Sequence, residues 1–183
     1  MRKEHDFLGE LEIPDNAYYG VQTMRAMENF QITGYNADPL FIKALGMVKK
    51  AAALANMKIG LLNEKIGNAM VQACDDIISG KLNDQFPTDP IQGGAGTSFN
   101  MNTNEVICNR ALEILGRPRG DYDYISPNNH ANMSQSTNDV IPTSIRVCAL
   151  MRAEQLIIAL ENLADSFDKK GEEFKDVLKI GRT

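Results

Sequence analysis

The feature that most constrains the fold is a long proline-free stretch near the end of the chain. After Pro142 no proline occurs up to Lys179, and the only glycine in this stretch is Gly171. Apolar side chains recur there at steps of four and three residues, the spacing of one face of a helix. They are Leu156, Leu160, Leu163, Phe167, Phe174 and Leu178, with one gap near Lys170 and Gly171. The pattern predicts a single helix of about 38 residues.

A helix of that length is too long for a compact domain of this size. It would span roughly 57 Å at about 1.5 Å per residue, whereas a globular chain of 183 residues has a diameter of about 41 Å. Its apolar stripe therefore requires partner helices that the sequence does not contain. We expect a fragment of a longer protein, or a subunit that completes its fold in an assembly.

Composition excludes several classes of protein. The chain has 24 acidic and 19 basic residues, and a formal net charge of −5 favours neither nucleic acid nor an anionic membrane as a partner. The first residues, "MRKEHDFLGELEIP", lack the apolar region expected of a signal peptide, and no run of about 18 apolar residues predicts a membrane span. Cys74, Cys108 and Cys148 form no CxxC pair and only two histidines occur. The sequence thus predicts reduced thiols, no metal site and a cytoplasmic location.

The remaining sequence predicts a mainly α-helical domain with a minor β-hairpin. Asp38 followed by Pro39 is typical of a capped helix start. We place the domain boundary so that residues 1–139 form the N-terminal domain and residues 140–183 form the long helix. The predicted elements of the first domain are a hairpin or extended arm within 6–20, helices within 36–62 and 63–81 and over about 104–115, and a long polar loop after Gly116.

A glycine-rich stretch, "QGGAGTSFNMNTNE", precedes the third of these helices. Gly93, Gly94 and Gly96 permit backbone angles that other residues resist, and Ser, Thr and Asn are good helix caps. One interpretation is therefore a loop with a helix cap. The other is an anion-binding loop, because amide and hydroxyl donors at a helix N-terminus hold a carboxylate or phosphate without a full positive charge. The run lacks the lysine that a P-loop requires, which excludes that kind of nucleotide site.

A second polar cluster, "SQSTNDVIPTS", precedes the long helix. Ser136, Thr137 and Asn138 are expected at its start, with Pro142 in its first turn. A cap needs only one of these side chains, and three hydrogen-bonding groups at the positive end of a helix dipole exceed that need. Two such clusters predict a carboxylate site, although spacing and composition identify neither a reaction nor a catalytic base.

Several long motifs resemble the aspartase/fumarase superfamily, and they occur in the same order. They are "AYYGVQT", "DQFPTDPIQGGAGTSFNMNTNEV", "SPNNHANMSQSTNDVIPT" and the terminal "KIGRT". The chain looks like the N-terminal part of the ammonia-lyase (aspartase) branch. Fumarases typically carry "GSGTQ", "QSSND" and "HPND" where this chain has "GGAGTS", "QSTND" and "SPNN", so that Ser126 stands in the place of a histidine. Argininosuccinate and adenylosuccinate lyases share the fold but lack these loops.

The resemblance implies a reaction and a set of site residues. The aspartase branch removes ammonia from L-aspartate to give fumarate, without an organic cofactor. By motif, the resemblance implies that Thr97, Ser136 and Thr137 bind the β-carboxylate, that Asn138 contacts the departing amino group, and that Thr183 reaches the α-carboxylate. Arg25 matches a family position of undefined role. His5 and His130 are weak alternatives as bases, and we expect His130 to be a hydrogen-bonding residue of the loop.

The resemblance also implies what this chain lacks. The family's catalytic serine lies downstream in a flexible loop, together with a lysine and an asparagine that complete carboxylate binding, so we expect no catalytic base here. Members are homotetramers in which three subunits build each active site around a bundle of long helices, and the long helix here resembles the first of that bundle. A divalent cation such as Mg²⁺ activates some aspartases. Two alternatives are a fumarase-like lyase and a non-catalytic helical assembly module.

Overall fold

The computed structural model describes residues 1–182, and Thr183, the expected α-carboxylate ligand, lies outside them. The predicted mainly helical class with a small hairpin is confirmed. In chain order the elements are β1 (Arg2–Asp6), β2 (Gly9–Ile13), α1 (Val21–Asn29), α2 (Pro39–Lys58), α3 (Glu64–Ile78), α4 (Thr97–Ile114) and α5 (Thr137–Phe174). A short 3₁₀ helix, Asn83–Gln85, and a five-residue π-helix, Pro127–Ala131, lie in the connections.

The chain folds into two compact units, Met1–Cys148 and Ala149–Thr183. In the first unit α2 packs on α3 and α3 packs on α4. The core between them is formed by fully buried aliphatic and aromatic side chains from all three helices and the connecting segments. These include Ile42, Leu45, Ile77, Phe86, Ile107, Leu112 and Ile125. The first residues of α5 add Val140 and Ile141 to this core.

The predicted helix starts are observed where the capping residue directly precedes the helix in the sequence. The Asp38 carboxylate accepts a hydrogen bond from the Leu40 N–H at 2.8 Å, and Pro39 is the first residue of α2. Asn63 caps α3 in the same way, with its Oδ1 accepting from the N–H groups of Lys65 and Ile66. The antiparallel hairpin pairs Arg2 with Ile13, so it begins earlier than the expected range 6–20.

Helix α1 was not predicted, because its cap comes from distant residues. Its N-cap residue is Gly20, which has no side chain that could accept a capping hydrogen bond. Instead the Glu105 carboxylate of α4 accepts from the N–H groups of Gly20, Gln22 and Thr23 and from the Thr23 hydroxyl. The Glu4 carboxylate of β1 accepts from the Val21 N–H at 2.9 Å. Negative charge at a helix N-terminus stabilises the helix, and here it is supplied by tertiary structure.

Helix α5 has the predicted length of 38 residues but a different position. It begins at Thr137 and ends at Phe174, rather than continuing to Lys179. In the second unit the side chains of the predicted apolar stripe are exposed: Leu156 by 56%, Leu160 by 53%, Leu163 by 52% and Phe167 by 68%. The stripe therefore exists as a helical face without partners among the described residues of its own unit.

Candidate active site

The glycine-rich loop ends in two residues with left-handed backbone conformations. Gly94 has φ +69° and Gly96 has φ +85°, angles that side chains with a Cβ rarely adopt. A Cβ atom at Gly96 would also lie only 2.9 Å from the Ile141 Cγ2 atom. Glycine is thus required at position 96 both for the turn into α4 and for the close packing of the loop against the start of α5.

Helix α4 begins at Thr97 rather than near Asn104, so the expected boundary was wrong. Asn100 and Asn102 lay in the expected loop and Asn104 at the expected helix start, and asparagine is a poor residue for a helix interior. All three are buried within α4, and their side-chain amides donate to other segments; the Asn102 Nδ2 group, for example, donates to the Gln85 carbonyl at 2.9 Å. These tertiary hydrogen bonds offset the low helix propensity.

The cap of α4 is provided by Gln92, not by Thr97. The Gln92 Oε1 atom accepts a hydrogen bond from the Phe99 N–H at 2.9 Å, and its Nε2 donates to the Asp89 carbonyl at 3.0 Å. Gly96 occupies the N-cap position and has no side chain. Thr97 is the exposed first residue of the helix, and its N–H and that of Ser98 donate to no acceptor within residues 1–182. The start of α4 therefore retains unused donors at its positive end.

The second cluster contains a helix cap as predicted. The Ser136 hydroxyl oxygen accepts from the Asn138 N–H at 3.1 Å, and the Asp139 carboxylate accepts from the Ser136 N–H at 3.2 Å, which is a reciprocal capping box. Pro142 lies inside α5, in its second turn rather than its first. Since proline has no N–H, the Asn138 carbonyl receives no helical hydrogen bond from position 142.

The two clusters are joined by a direct hydrogen bond. The Asn100 Nδ2 group of α4 donates to the Thr137 Oγ1 atom, the first residue of α5, at 3.1 Å. Asn100 lies one helical turn after Thr97, so the two helix starts lie close to each other. This arrangement can present hydroxyl and N–H donors from two helix dipoles to the same anion.

A groove of about 530 Å³ runs beside this region. Its lining is mainly apolar and includes Phe41, Pro90, Phe99, Ile141 and Ile145. The hydroxyl and amide candidates at positions 97 and 136–138 are not part of that lining. The polar donors therefore lie on an open surface, with the apolar groove beside them.

A family model described as lyase matches residues 9–183. The chain belongs to this lyase family. Two curated relatives are an aspartate ammonia-lyase of a Bacillus species, 59% identical, and that of Bacillus subtilis strain 168, 58% identical. The matches cover all of this chain but only 39% and 38% of the relatives, so the chain spans less than half of their length.

Solved structures of the lyase family share the fold. A fumarate lyase:delta crystallin from Brucella melitensis, in native form, is 56% identical with a TM-score of 0.92, and it is matched over all of this chain and 42% of its own. A second structure of that protein is described as bound to cobalt. A class II fumarase from Schistosoma mansoni is 35% identical with a TM-score of 0.86, and the match covers all of this chain and 39% of the fumarase.

Other residues singled out in the sequence have defined contacts in this lyase chain. The Arg25 guanidinium forms a bidentate pair with the Asp6 carboxylate at 2.7 Å for both bonds, which ties α1 to the hairpin. The His130 Nδ1 atom accepts from the Ser126 N–H at 2.9 Å, as expected for a hydrogen-bonding residue of the loop. Burial lowers the pKa of His130. His5 is an exposed residue of β1.

The part of the chain that the structure describes offers neither a metal cluster nor a membrane span. Residues 1–182 contain no group of three or more His, Cys, Asp or Glu side chains arranged to hold a metal ion. None of the helices in this range combines the length and the hydropathy that a membrane crossing needs. Cys74 and Cys108 are buried thiols of the core.

Sequence reasoning missed Lys49, the largest fully buried side chain, which is 2% exposed. Its amino group donates to Asn132 Oδ1 at 3.1 Å and to Gln135 Oε1 at 2.9 Å. A signal was present in the sequence: Lys49 falls in the apolar stripe of α2, four residues after Leu45 and four before Ala53. A lysine on the buried face of an amphipathic helix requires polar partners inside the protein.

Proposed function

We propose that this chain is the N-terminal part of an aspartate ammonia-lyase and supplies residues that bind the β-carboxylate and the amino group of L-aspartate. The observation that carries the proposal is the Asn100–Thr137 hydrogen bond, which brings two donor-rich helix starts together. The identity to curated aspartate ammonia-lyases supports the choice of substrate. In the proposed protein, residues 1–139 form the N-terminal lyase domain and residues 140–183 the first helix of a central bundle.

The proposed chemistry is an elimination. A base removes a proton from the carbon next to the β-carboxylate, and that carboxylate then carries the charge of an enolate-like dianion. Preorganised donors stabilise charge that develops in the transition state more than the charge of the bound substrate. Collapse of the dianion forms the carbon–carbon double bond of fumarate and breaks the carbon–nitrogen bond, so that the protonated amino group leaves as neutral ammonia, which takes up a proton from solvent.

Each candidate residue has a role in this proposal. Thr97 and Thr137 donate hydroxyl hydrogen bonds to the β-carboxylate, together with the unused N–H groups at the start of α4. The Ser136 oxygen already accepts the capping hydrogen bond of α5, so Ser136 contributes by donating its O–H to the carboxylate. Asn138 contacts the amino group, and its carbonyl, which Pro142 leaves without a helical donor, adds an acceptor for ammonium.

The rest of the site is assigned to other parts of the protein. Thr183 is proposed to contact the α-carboxylate, and the catalytic serine, lysine and asparagine are proposed to come from the region downstream of this chain. The open position of the donors is compatible with a site completed by other subunits of a cytoplasmic homotetramer. The proposed elimination requires no organic cofactor, and Mg²⁺ is proposed only as an activator. Arg25 has no role in the proposed site and pairs with Asp6.

The direct test is an assay of the full-length protein that contains this chain. We expect release of ammonia and fumarate from L-aspartate, followed by the ultraviolet absorbance of fumarate. The isolated 183-residue chain is expected to give no turnover. Production of fumarate from malate instead would support the fumarase-like alternative, which the similarity to a class II fumarase favours. A tetramer that acts on neither substrate would support the non-catalytic assembly module.

A further inference from the structure

Lys49 is a buried lysine without a carboxylate partner among the described residues. Its Nζ atom lies beside two side-chain oxygens, and in residues 1–182 no carboxylate is within ion-pair distance of it. The titratable groups whose charges bear on it are Cys74 of α3 and Cys108 of α4. Burial raises the pKa of Cys74 to about 12 and that of Cys108 as well, so both thiols are neutral at physiological pH. The loop before α5 offers Lys49 only the uncharged Asn132 and Gln135.

The Lys49 amino group belongs to the hydrogen-bond network that holds the two helix starts together. Asn132 Oδ1 accepts from Lys49, from Asn100 at 3.1 Å and from Asn104 at 3.3 Å. Asn100 in turn donates to Thr137 Oγ1. Lys49 is thus two hydrogen-bonded residues away from a hydroxyl that the proposed function places on the β-carboxylate. The network passes from α2 through the loop and α4 to α5.

We propose that Lys49 is a positioning residue that places a positive charge beneath the carboxylate-binding cluster, acts through Asn132 and Asn100 on Thr137, and takes up a proton when a dicarboxylate binds. This inference rests on the proposed function. The glycine-rich loop and the second cluster contain many dipoles and little charge of their own. The charge lies one layer below them, on a helix that neither motif includes.

The protonation of Lys49 depends on whether an anion is present. Burial lowers the pKa of Lys49 from 10.5 to about 7, because a charged amine is costly in an apolar interior. A bound dianion favours the charged form and raises this pKa. Above pH 7 the free protein therefore has a mostly neutral Lys49, and binding draws a proton from solution. Below pH 6 the residue is already charged and little proton uptake is expected.

Succinate is a suitable probe, because above pH 7 it is a dianion and has no amino group that titrates. The full-length protein is titrated with succinate by calorimetry at pH 8 in two buffers of different ionisation enthalpy, which gives the number of protons taken up. We expect uptake approaching about one proton, and affinity that weakens by up to about tenfold per pH unit above pH 7. The folding of each variant is checked by circular dichroism.

Two variants of Lys49 and one matched control separate the possible results. Lys49→Met removes the charge and should weaken succinate binding by about tenfold or more and abolish proton uptake. Lys49→Arg keeps a charge that does not titrate, so it should bind succinate without uptake and without the pH dependence. The control is Lys50→Met, since the neighbouring Lys50 is partly exposed and pairs with Asp75 at 2.6 Å; it should behave like the wild type.

The results distinguish this inference from the proposed function. Wild-type protein that converts aspartate but takes up no proton on binding succinate would overturn the role of Lys49 alone. The same conclusion would follow if a folded Lys49→Met variant kept both the succinate affinity and the proton uptake of the wild type. If Lys49→Met does not fold, wild-type proton uptake by Lys49→Arg would lead to the same conclusion. Wild-type protein that neither binds succinate nor converts aspartate would overturn the proposed function itself.

Discussion

The side-chain amide of Asn100 donates a hydrogen bond of 3.1 Å to the Thr137 hydroxyl oxygen and so joins α4 to the first residue of α5. These two residues lie in different sequence motifs, each of which could be explained by itself as a helix cap. Their contact brings the two motifs together. It also couples the position of one donor cluster to that of the other.

This coupling can be measured in a double-mutant cycle. We expect Asn100→Ala and Thr137→Val to interact by about 0.5–1.5 kcal/mol in the free energy of unfolding, the typical net contribution of a hydrogen bond. Chemical denaturation of the two single variants and the double variant gives the value. Asn100→Ala combined with Thr143→Val, at an exposed threonine of α5, should instead be additive; a coupling of the same size there would contradict the interpretation.

Thr97→Val tests the proposed donor at the start of α4. Because Gln92 and not Thr97 caps the helix, loss of the hydroxyl should leave the melting temperature unchanged. In the full-length enzyme kcat should fall by about 10² to 10³, the usual effect of removing one donor to a developing oxyanion. Thr143→Val is the control for the same exchange on an exposed helix surface. A variant with normal turnover would remove Thr97 from the site.

Gln92→Ala, unlike Thr97→Val, should lower the stability of the protein. It removes the acceptor of the Phe99 N–H and is expected to destabilise the protein by about 1 kcal/mol, as loss of a helix cap does. Thermal unfolding of the isolated chain measures this directly. If Gln92→Ala kept the wild-type stability and Thr97→Val lost stability, Thr97 would be the cap of α4.

Gly96→Ala should be more destabilising than its backbone angle alone requires. A left-handed conformation costs a residue with a Cβ about 1–2 kcal/mol, and at Gly96 the added atom would also approach Ile141 Cγ2 to 2.9 Å. Gly116→Ala is the matched control, since Gly116 has φ +70° and open space around the built Cβ. We expect Gly96→Ala to exceed it by about 1–3 kcal/mol in denaturant unfolding; equal losses would exclude the steric contact.

Glu105→Gln should change the pH dependence of stability. Burial raises the pKa of Glu105 from 4.5 to about 7, against hydrogen bonds from Thr23, Gln22 and Gly20 that favour its charged form. A raised carboxyl pKa gives stability that is full below pH about 4.5 and is lost as the pH rises through 7, by up to about 1.4 kcal/mol per pH unit. The free energy of unfolding of the wild type minus that of the variant should therefore fall between pH 5 and 7.

Glu113 provides a control of opposite sign. Hydrogen bonds from Tyr18, Arg119 and Arg110 lower the pKa of its carboxyl despite partial burial. Its contribution is present above pH about 4.5 and is lost as the pH falls. The corresponding difference for Glu113→Gln should be flat between pH 5 and 7 and should decrease only in acid. A slope for Glu113→Gln in the neutral range, or none for Glu105→Gln, would contradict the assignment.

The exposed stripe of the second unit predicts self-association of the isolated chain. Burial of a leucine side chain contributes about 1.5–3 kcal/mol, and Leu160 and Leu163 are each more than half exposed. Sedimentation velocity should show oligomers that the double variant Leu160→Asp and Leu163→Asp dissociates. Leu61→Asp, at a leucine that is 59% exposed in the first unit, should not. A monomeric wild-type chain would contradict this prediction.

Elements with local signals were predictable from the sequence, and elements stabilised from a distance were not. Asp38 and Pro39 lie next to the start that they mark, so α2 was predicted correctly. Helix α1 depends on Glu105, which no local pattern connects to Gly20. For the same reason the predicted start of α4 was too late, because the partners of Asn100 and Asn102 lie in other segments.

The candidate site shows the same division. The donors at positions 97 and 136–138 were identified from motif and composition, and whether they bind substrate stays a prediction. Their connection through Asn100 and Asn132 could not be read from spacing, because those amides act across elements. Lys49 could have been noticed as a charge in an apolar stripe, but its partners are given only by the fold.

The hydrogen bond that the Phe99 N–H donates to Gln92 bears on how such a site can change during evolution or in directed engineering. It closes the glycine-rich segment into a ring whose two ends are held by a residue outside the set of proposed substrate ligands. Substitutions at Thr97 and Ser98 can therefore alter which acid is recognised without removing the start of α4. Positions 97 and 98 can therefore be varied while the ends of the segment stay in place. Libraries for new dicarboxylate or amino acid substrates should vary these two positions and keep Gln92 and Gly96 constant.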